Sequence, residues 1–394
     1  RAARRHGPLQ QREARRPRER AAAGGRAQLS GGVSLRPRLA YIAHLHTLVE
    51  PQVPWNIEPM LVFGYATCLD CFLHQFTLLP IRVVRSLLAA MRGCCLTPFQ
   101  SCELLRGVLI VAVSCLVLSI DMSQAYHTVR NQAMIKLYVI FNMLEIFDKL
   151  CASFGQDILE ALYSGTLHHR HMKRVRLAFD FIIALIYLFL HTLVLFYHGV
   201  ALTCAVNSNN NVLLTLLISN NFVELKSNVF KKSDVANLFQ ISCSDMVERF
   251  QLSIYVFFVV LQYLKVGGGG IGSEGWHELM RSLFLIFSAE LVVDWIKHAF
   301  VIKFNHISPT VYSRFTYILC HSMSPQLQNK AGVAAPPRRS SIEFFHEGSG
   351  AVCARMGFVP IPLLCLVVRI VGRDVYPSLD MRHPSGWVLV GLLW

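Results

Sequence analysis

Charge is what this sequence has least of. Asp, Glu, Lys and Arg together make up 16% of its 394 residues, where an ordinary soluble domain carries roughly 25%. A soluble chain of this length needs charged side chains to cover its surface, so the deficit argues against a soluble architecture, although the length alone would allow two or three such domains. Asn-x-Ser/Thr glycosylation acceptors are also missing, which fits a protein without a large secreted ectodomain. No Gly-x-Ser-x-Gly and no His-Glu-x-x-His occurs, and no nucleophile stands beside a base. The expectation is a protein that is not an enzyme and holds no cofactor. No signal peptide opens the chain. It starts at Arg1 and ends within the apolar run Trp387–Trp394, shorter than the roughly 20 residues a membrane span needs, so the last span is expected to be cut short.

What is present is apolar: 53% of the residues are hydrophobic and the mean hydropathy is positive. The net charge of +14 is concentrated at one end, because residues 1–40 hold eleven arginines against Glu13 and Glu19 and supply +9 of it. That arm has no aromatic residue to stack on bases, which counts against nucleic acid as a partner. It reads as a disordered, Arg-rich cytosolic arm. Twelve cysteines are present, but Cys68, Cys71, Cys115, Cys204 and Cys365 lie in or beside apolar stretches. There cysteine acts as a small hydrophobe rather than as part of a disulfide framework.

The apolar segments define an all-α, polytopic transmembrane bundle with amphipathic-helical loops. Residues 60–120 form a membrane-associated hairpin and helix. Within them 60–81, interrupted by Asp70 and His74, reads equally as a span or a re-entrant hairpin, and 104–120 as a helix. Residues 177–219 hold the clearest span, 177–200, and a short re-entrant run at 212–219. Residues 250–302 give two further spans, 250–266 and 280–302, around the linker Gly267–Gly270. The stretch 323–350 is a disordered linker, and 356–394 holds C-terminal membrane segments entered through Pro360 and Pro362. Two segments, 121–176 and 220–249, mix charge with apolar residues and read as lying outside the lipid. In the first, Ile140, Met143, Leu144 and Phe147 share a face that excludes Glu145, Asp148 and Lys149. In the second, Asp245 followed by Glu248 reads as a helix start.

In those two segments and beyond them the sequence also resembles a known family. Asp121–Tyr138, Phe141–Leu150, Ser153–Leu162, Ser219–Lys232, Glu248–Phe250, Ile296–Asn305 and Arg355–Pro362 resemble, in order, the transmembrane anterior posterior transformation protein family, whose plant members include pollen defective in guidance. The likeness runs from about residue 60 to 372. The Arg-rich arm, the Gly267–Gly270 insertion, the segment around 324–350 and the region after Val371 depart from the family pattern. The resemblance implies a multi-pass protein mainly of the endoplasmic reticulum, linked to protein folding or homeostasis there and to developmental signalling. Partners would be the lipid bilayer and membrane or luminal client proteins. Contact would run through the signature residues Asn142, Glu145, Asp148, Lys149, Asn220, Asn221, Glu224 and Lys226.

The residues that invite a chemical role lie in 280–302. Asp294 is four positions from both Glu290 and His298 and three from Lys297, so all four can share a helix face. Ionisable groups at membrane depth are costly unless paired. The cluster therefore reads either as an ion or proton path, making the protein a channel or transporter, or as a structural ion pair near the interface. Cys68, Cys71 and His74 have ligand-like spacing but lack the second pair that a closed zinc site needs. His168-His-Arg-His171 reads as a basic membrane-proximal patch, and no metal is expected. Gly267–Gly272 contains no lysine, which excludes a phosphate loop. Ser341, after Arg338-Arg-Ser, reads as a basic-directed phosphorylation site.

Overall fold

A computed structural model of the chain describes residues 52–93, 97–132, 134–167, 174–207, 232–266, 273–323 and 350–375. Among them every regular element is a helix and none is a strand, so the fold is a helical bundle. Helix α1 (Gln52–Leu73) passes through one wide turn (His74–Leu78) into α2 (Leu79–Met91). The wide turn lies just upstream of Pro80, whose missing N–H and bulky ring disrupt the regular pattern one turn back. Residues 60–81 therefore do not form a hairpin: the helical path continues to Met91, and the reversal comes between α2 and α3 (Pro98–Leu118).

Helix α3 begins earlier than its apolar run suggests, because Thr97 and Gln100 form a reciprocal cap. Thr97 Oγ1 accepts from Gln100 N at 3.3 Å, Gln100 Oε1 accepts from Thr97 N at 3.0 Å, and Pro98 occupies the first helical position. Asp121 caps the short α4 (Met122–Arg130) through Ser123 N. The 34-residue α5 (Met134–Leu167) and 33-residue α6 (Arg174–Val206) follow. Helix α7 (Val235–Val266) is capped by Asp234, which accepts from Asn237 N at 2.8 Å. The helix start expected at Asp245 lies instead in mid-helix, and 235–249 is not a loop but continuous with 250–266. Helices α8 (Ser273–Asn305) and α9 (Val311–Met323) pair through a short connection in which His306 adopts positive φ. A short α10 (Gly350–Met356) meets α11 (Pro360–Arg369) at 99°. Gly357 makes the corner at φ +79, a left-handed conformation that glycine adopts without a Cβ penalty.

Three of the described helices are long and apolar enough to cross a bilayer, Pro98–Leu118, Val175–Val206 and Val235–Leu264, and a fourth span results if the bent α10–α11 pair counts as one. Helix α8, expected as a span over 280–302, is long enough but is not among them; it carries Arg281, Glu290, Asp294 and Lys297. Helix α11 is buried along nearly its whole length and plugs the bundle centre against α3 and α6.

Segment 121–176, read from sequence as an amphipathic loop, is made of α4 and α5. Helix α5 lies antiparallel along α6: Phe141 meets His198, Asp148 meets His191 and Gly155 meets Tyr187. That stretch is roughly 20 Å long at about 1.5 Å per residue, and it runs beside the apolar heart of α6. The apolar stripe of α5, Val139, Met143, Ile146, Phe147, Leu150 and Phe154, is exposed on the outside of the bundle. Asn142, Glu145 and Asp148 turn inward and are half-buried. The amphipathic pattern is real, but its polar side faces the protein. Residues 1–51, 208–231 and 324–349 lie outside the described residues, and with them Asn220, Asn221, Glu224, Lys226 and Ser341. So do His168–His171, Gly267–Gly270 and 387–394.

Candidate functional site

The bundle is locked by a ring of charge. Asp245 on α7 accepts from Lys297 Nζ at 2.6 Å through one oxygen and lies 2.7 Å from His298 Nε2 through the other. Lys297 also reaches Asp294 at 3.0 Å, one turn back on α8. Asp294 in turn accepts from Arg249 Nε at 2.9 Å. Arg249 Nη1 then donates to both oxygens of Glu58 on α1, at 3.1 and 3.2 Å, and Trp295 Nε1 donates to the same carboxylate. At the far end the Tyr312 hydroxyl of α9 lies 2.8 Å from His298 Nδ1. Burial, and then the negative charge of Asp245, push the Tyr312 phenol well above its ordinary pKa, so it stays protonated.

Asp245, Asp294, Lys297, His298 and Tyr312 are all essentially sealed from solvent. Helical spacing brings the α8 members together, and the seven-residue offset between Asp294 and Val301 keeps the same face inward through to the buried Val301. Two permanent cations, Arg249 and Lys297, meet three carboxylates, with His298 bridging Asp245 and Tyr312. Within the ring each carboxylate accepts from at least one cation. Isolated charges could not survive such burial; this set does so by mutual pairing. The ring ties together α1, α7, α8 and α9.

Of the four residues expected to share a face, the structure gathers Asp294, Lys297 and His298 into the ring. Glu290 lies one turn earlier and lines a separate cavity of about 560 Å³ between α5, α6, α7, α8 and α10. The sequence reading missed Glu58, Arg249 and Tyr312 as ring members, and assigned Asp245 to a helix start. Arg249 and Asp245, four apart on a helix, were the available signal: a second charged pair opposite the first.

Of the signature residues of α5, Glu145, Asp148 and Lys149 line the same cavity. Glu145 and Glu248 both hold Lys149, at 3.0 and 3.3 Å, and Ser244 donates to Glu248 at 2.7 Å. Asp148 pairs with His191 Nε2 at 2.8 Å, while His191 Nδ1 lies 2.9 Å from the Tyr187 hydroxyl. The His198 and Tyr255 rings stack at 5.0 Å. Cys68 and Cys71 are buried in α1, and among the described residues no three His, Cys, Asp or Glu side chains converge as metal ligands.

Residues 96–393 match the model of a family described as a eukaryotic membrane protein family. The chain is 37% identical over 339 residues to the human (Homo sapiens) protein named transmembrane anterior posterior transformation protein 1 homolog, covering 82% of this chain and 56% of that one. It is 35% identical over 353 residues to the Drosophila melanogaster protein named TAPT1 homolog, covering 86% of this chain and 49% of the other. With the Dictyostelium discoideum protein of the same name the identity is 40% over 344 residues, covering 82% and 40%. The chain thus spans about half the length of the curated relatives it matches. No solved structure matches it.

Proposed function

Since the chain belongs to the transmembrane anterior posterior transformation protein family, a eukaryotic family of membrane proteins, we propose that it is a non-enzymatic, multi-pass protein of the endoplasmic reticulum membrane that acts through partner proteins. It supports the folding, retention or trafficking of client proteins. In this reading the exposed apolar stripes of α5 and α6 face lipid, and the signature residues beyond α6 face partners. The observation that carries the reading is the mutual pairing of the buried charges. Asp245, Asp294, Lys297, His298 and Arg249, which a pore or a catalyst would present to its cargo, are engaged with one another and with Glu58 across four helices. A conduit through Asp294 and His298 needs groups free to exchange partners, and their pairing counts against it.

The test replaces Asn220, Asn221, Glu224 and Lys226 together by alanine, leaving every described helix unchanged in sequence. Affinity recovery from microsomes in mild detergent, read by quantitative mass spectrometry, is expected to lose its specific partners at least tenfold, with membrane insertion unchanged. Undiminished recovery by the variant, or residence of the wild-type protein in another membrane, would sink the proposal.

A further inference from the structure

A second cavity of about 850 Å³ opens between α2, the start of α3, the last third of α5 and the α10–α11 corner. Its walls combine two chemistries. Arg82, Arg85 and Arg106 line it together with Glu103 and Glu160, and with the apolar Phe99 and Ile361. Arg82 is held by Glu103 at 3.2 Å. Arg106 lies over the Tyr163 ring, its guanidinium carbon 4.6 Å from the centroid, and donates through Nε to the Tyr163 hydroxyl at 3.1 Å. Among the described residues neither Arg85 nor Arg106 has a carboxylate within ion-pair distance. Gln75 Oε1, buried on a residue of the same wall, has no hydrogen-bond partner among the described residues.

Three further features fix the occupant. The cavity lies along the first half of α2 and the beginning of the span α3, and the ends of spans sit at the depth of lipid headgroups. Next to the arginines, α2 exposes Ile81, Val84, Leu87, Leu88 and Met91, and α3 exposes Phe99, an apolar rim on which acyl chains can lie. Guanidinium forks match phosphate oxygens bidentately and are the usual choice for phosphate recognition. Basic pockets between membrane helices are known headgroup sites. We propose that this cavity binds the phosphate of an anionic phospholipid headgroup, held by Arg85 and Arg106, with Gln75 accepting from a headgroup hydroxyl.

The full chain, purified in neutral detergent, is titrated with dioctanoyl phosphatidylinositol, with dioctanoyl phosphatidylcholine and with inorganic phosphate, reading the melting midpoint. The inositol lipid is expected to raise the midpoint saturably, with at least tenfold tighter apparent affinity than the choline lipid, whose ammonium cancels the phosphate charge. Arg85→Gln/Arg106→Gln should weaken it at least tenfold. Arg106→Lys, which keeps the charge and loses the fork, should fall between. Arg85→Gln alone, on an exposed position of α2, keeps the fold and should still weaken binding several-fold. A midpoint rise with inorganic phosphate alone, lost in the double variant, would identify free phosphate as the source of the same chemistry. Equal affinity for both lipids, or an undiminished response in Arg85→Gln and in the double variant, overturns the proposal.

Discussion

Asp245→Asn is expected to leave little folded protein. The carboxylate is the shared acceptor of Lys297 Nζ at 2.6 Å and His298 Nε2 at 2.7 Å, and both partners are buried with it. An asparagine keeps the shape and one acceptor oxygen, but it removes the negative charge and leaves the Lys297 charge undercompensated. Removing one partner of a buried ion pair costs about 3–5 kcal/mol, a large part of the about 5–15 kcal/mol by which a folded protein is stable. The readout is the monodisperse fraction in size-exclusion chromatography, together with the melting midpoint in detergent. Glu58→Gln is the internal comparison, because the Glu58 side chain is 28% exposed and water can take over part of its role. Its loss should be clearly smaller. The double variant Asp245→Asn/Lys297→Met removes the stranded charge as well, so it should be more stable than Asp245→Asn alone. A melting midpoint for Asp245→Asn equal to that of the parent would show that the ring holds nothing together.

Gly155→Ala is the second large effect, and its sign is the diagnostic part. In the interior of a helix this exchange normally stabilises by about 0.5–1 kcal/mol. Here a Cβ would fall 1.9 Å from the Tyr187 hydroxyl oxygen, 2.7 Å from its ring carbon and 3.1 Å from Val359. The hydroxyl is anchored at 3.1 Å to the Cys151 carbonyl and at 2.9 Å to His191, so the ring cannot retreat without breaking the chain of contacts that leads to Asp148. Overpacking costs about 1–3 kcal/mol, and each lost hydrogen bond about 0.5–1.5 more. The melting midpoint should therefore fall, and Gly155→Ala/Tyr187→Phe should recover part of the loss because the nearest atom is gone. Gly350→Ala, where a Cβ would meet nothing within 4 Å, should leave the midpoint level or raise it.

The sequence made some of this legible, for reasons visible in particular residues. Helix α6 declares itself because Phe181–Leu190 is apolar on every face, and no other element type buries such a run. The starts of α3 and α7 were equally available, in Thr97-Pro-Phe-Gln100 and in Asp234, but apolar runs drew attention to their interiors instead. The ring was half legible: helical spacing alone put Asp294, Lys297 and His298 on one face. Which side chains stood opposite could not be read, because Glu58, Asp245 and Arg249 pair with residues 45 or more positions away in the chain, and only tertiary packing decides that pairing. Which face of α5 meets the protein was not legible for a related reason. Periodicity separates a polar from an apolar face, but it does not say which of the two meets the protein. In water the apolar face turns inward; in lipid the preference inverts, as polar groups seek the bundle interior.

That inversion is the claim on which the membrane reading of 134–167 rests, and one measurement bears on it directly. Single nitroxide labels at Met143, Phe147, Leu150 and Phe154, with Glu145 and Ala152 as half-buried references lining the inner cavity, would be placed in the chain reconstituted into phospholipid vesicles. Relaxation by oxygen, which concentrates in lipid, is compared with relaxation by a water-soluble nickel chelate. The four stripe positions are expected to favour oxygen and the two references to favour the chelate or neither, giving a helical period along α5. Chelate access at Phe147 and Leu150 exceeding oxygen access would place α5 in water and contradict the account.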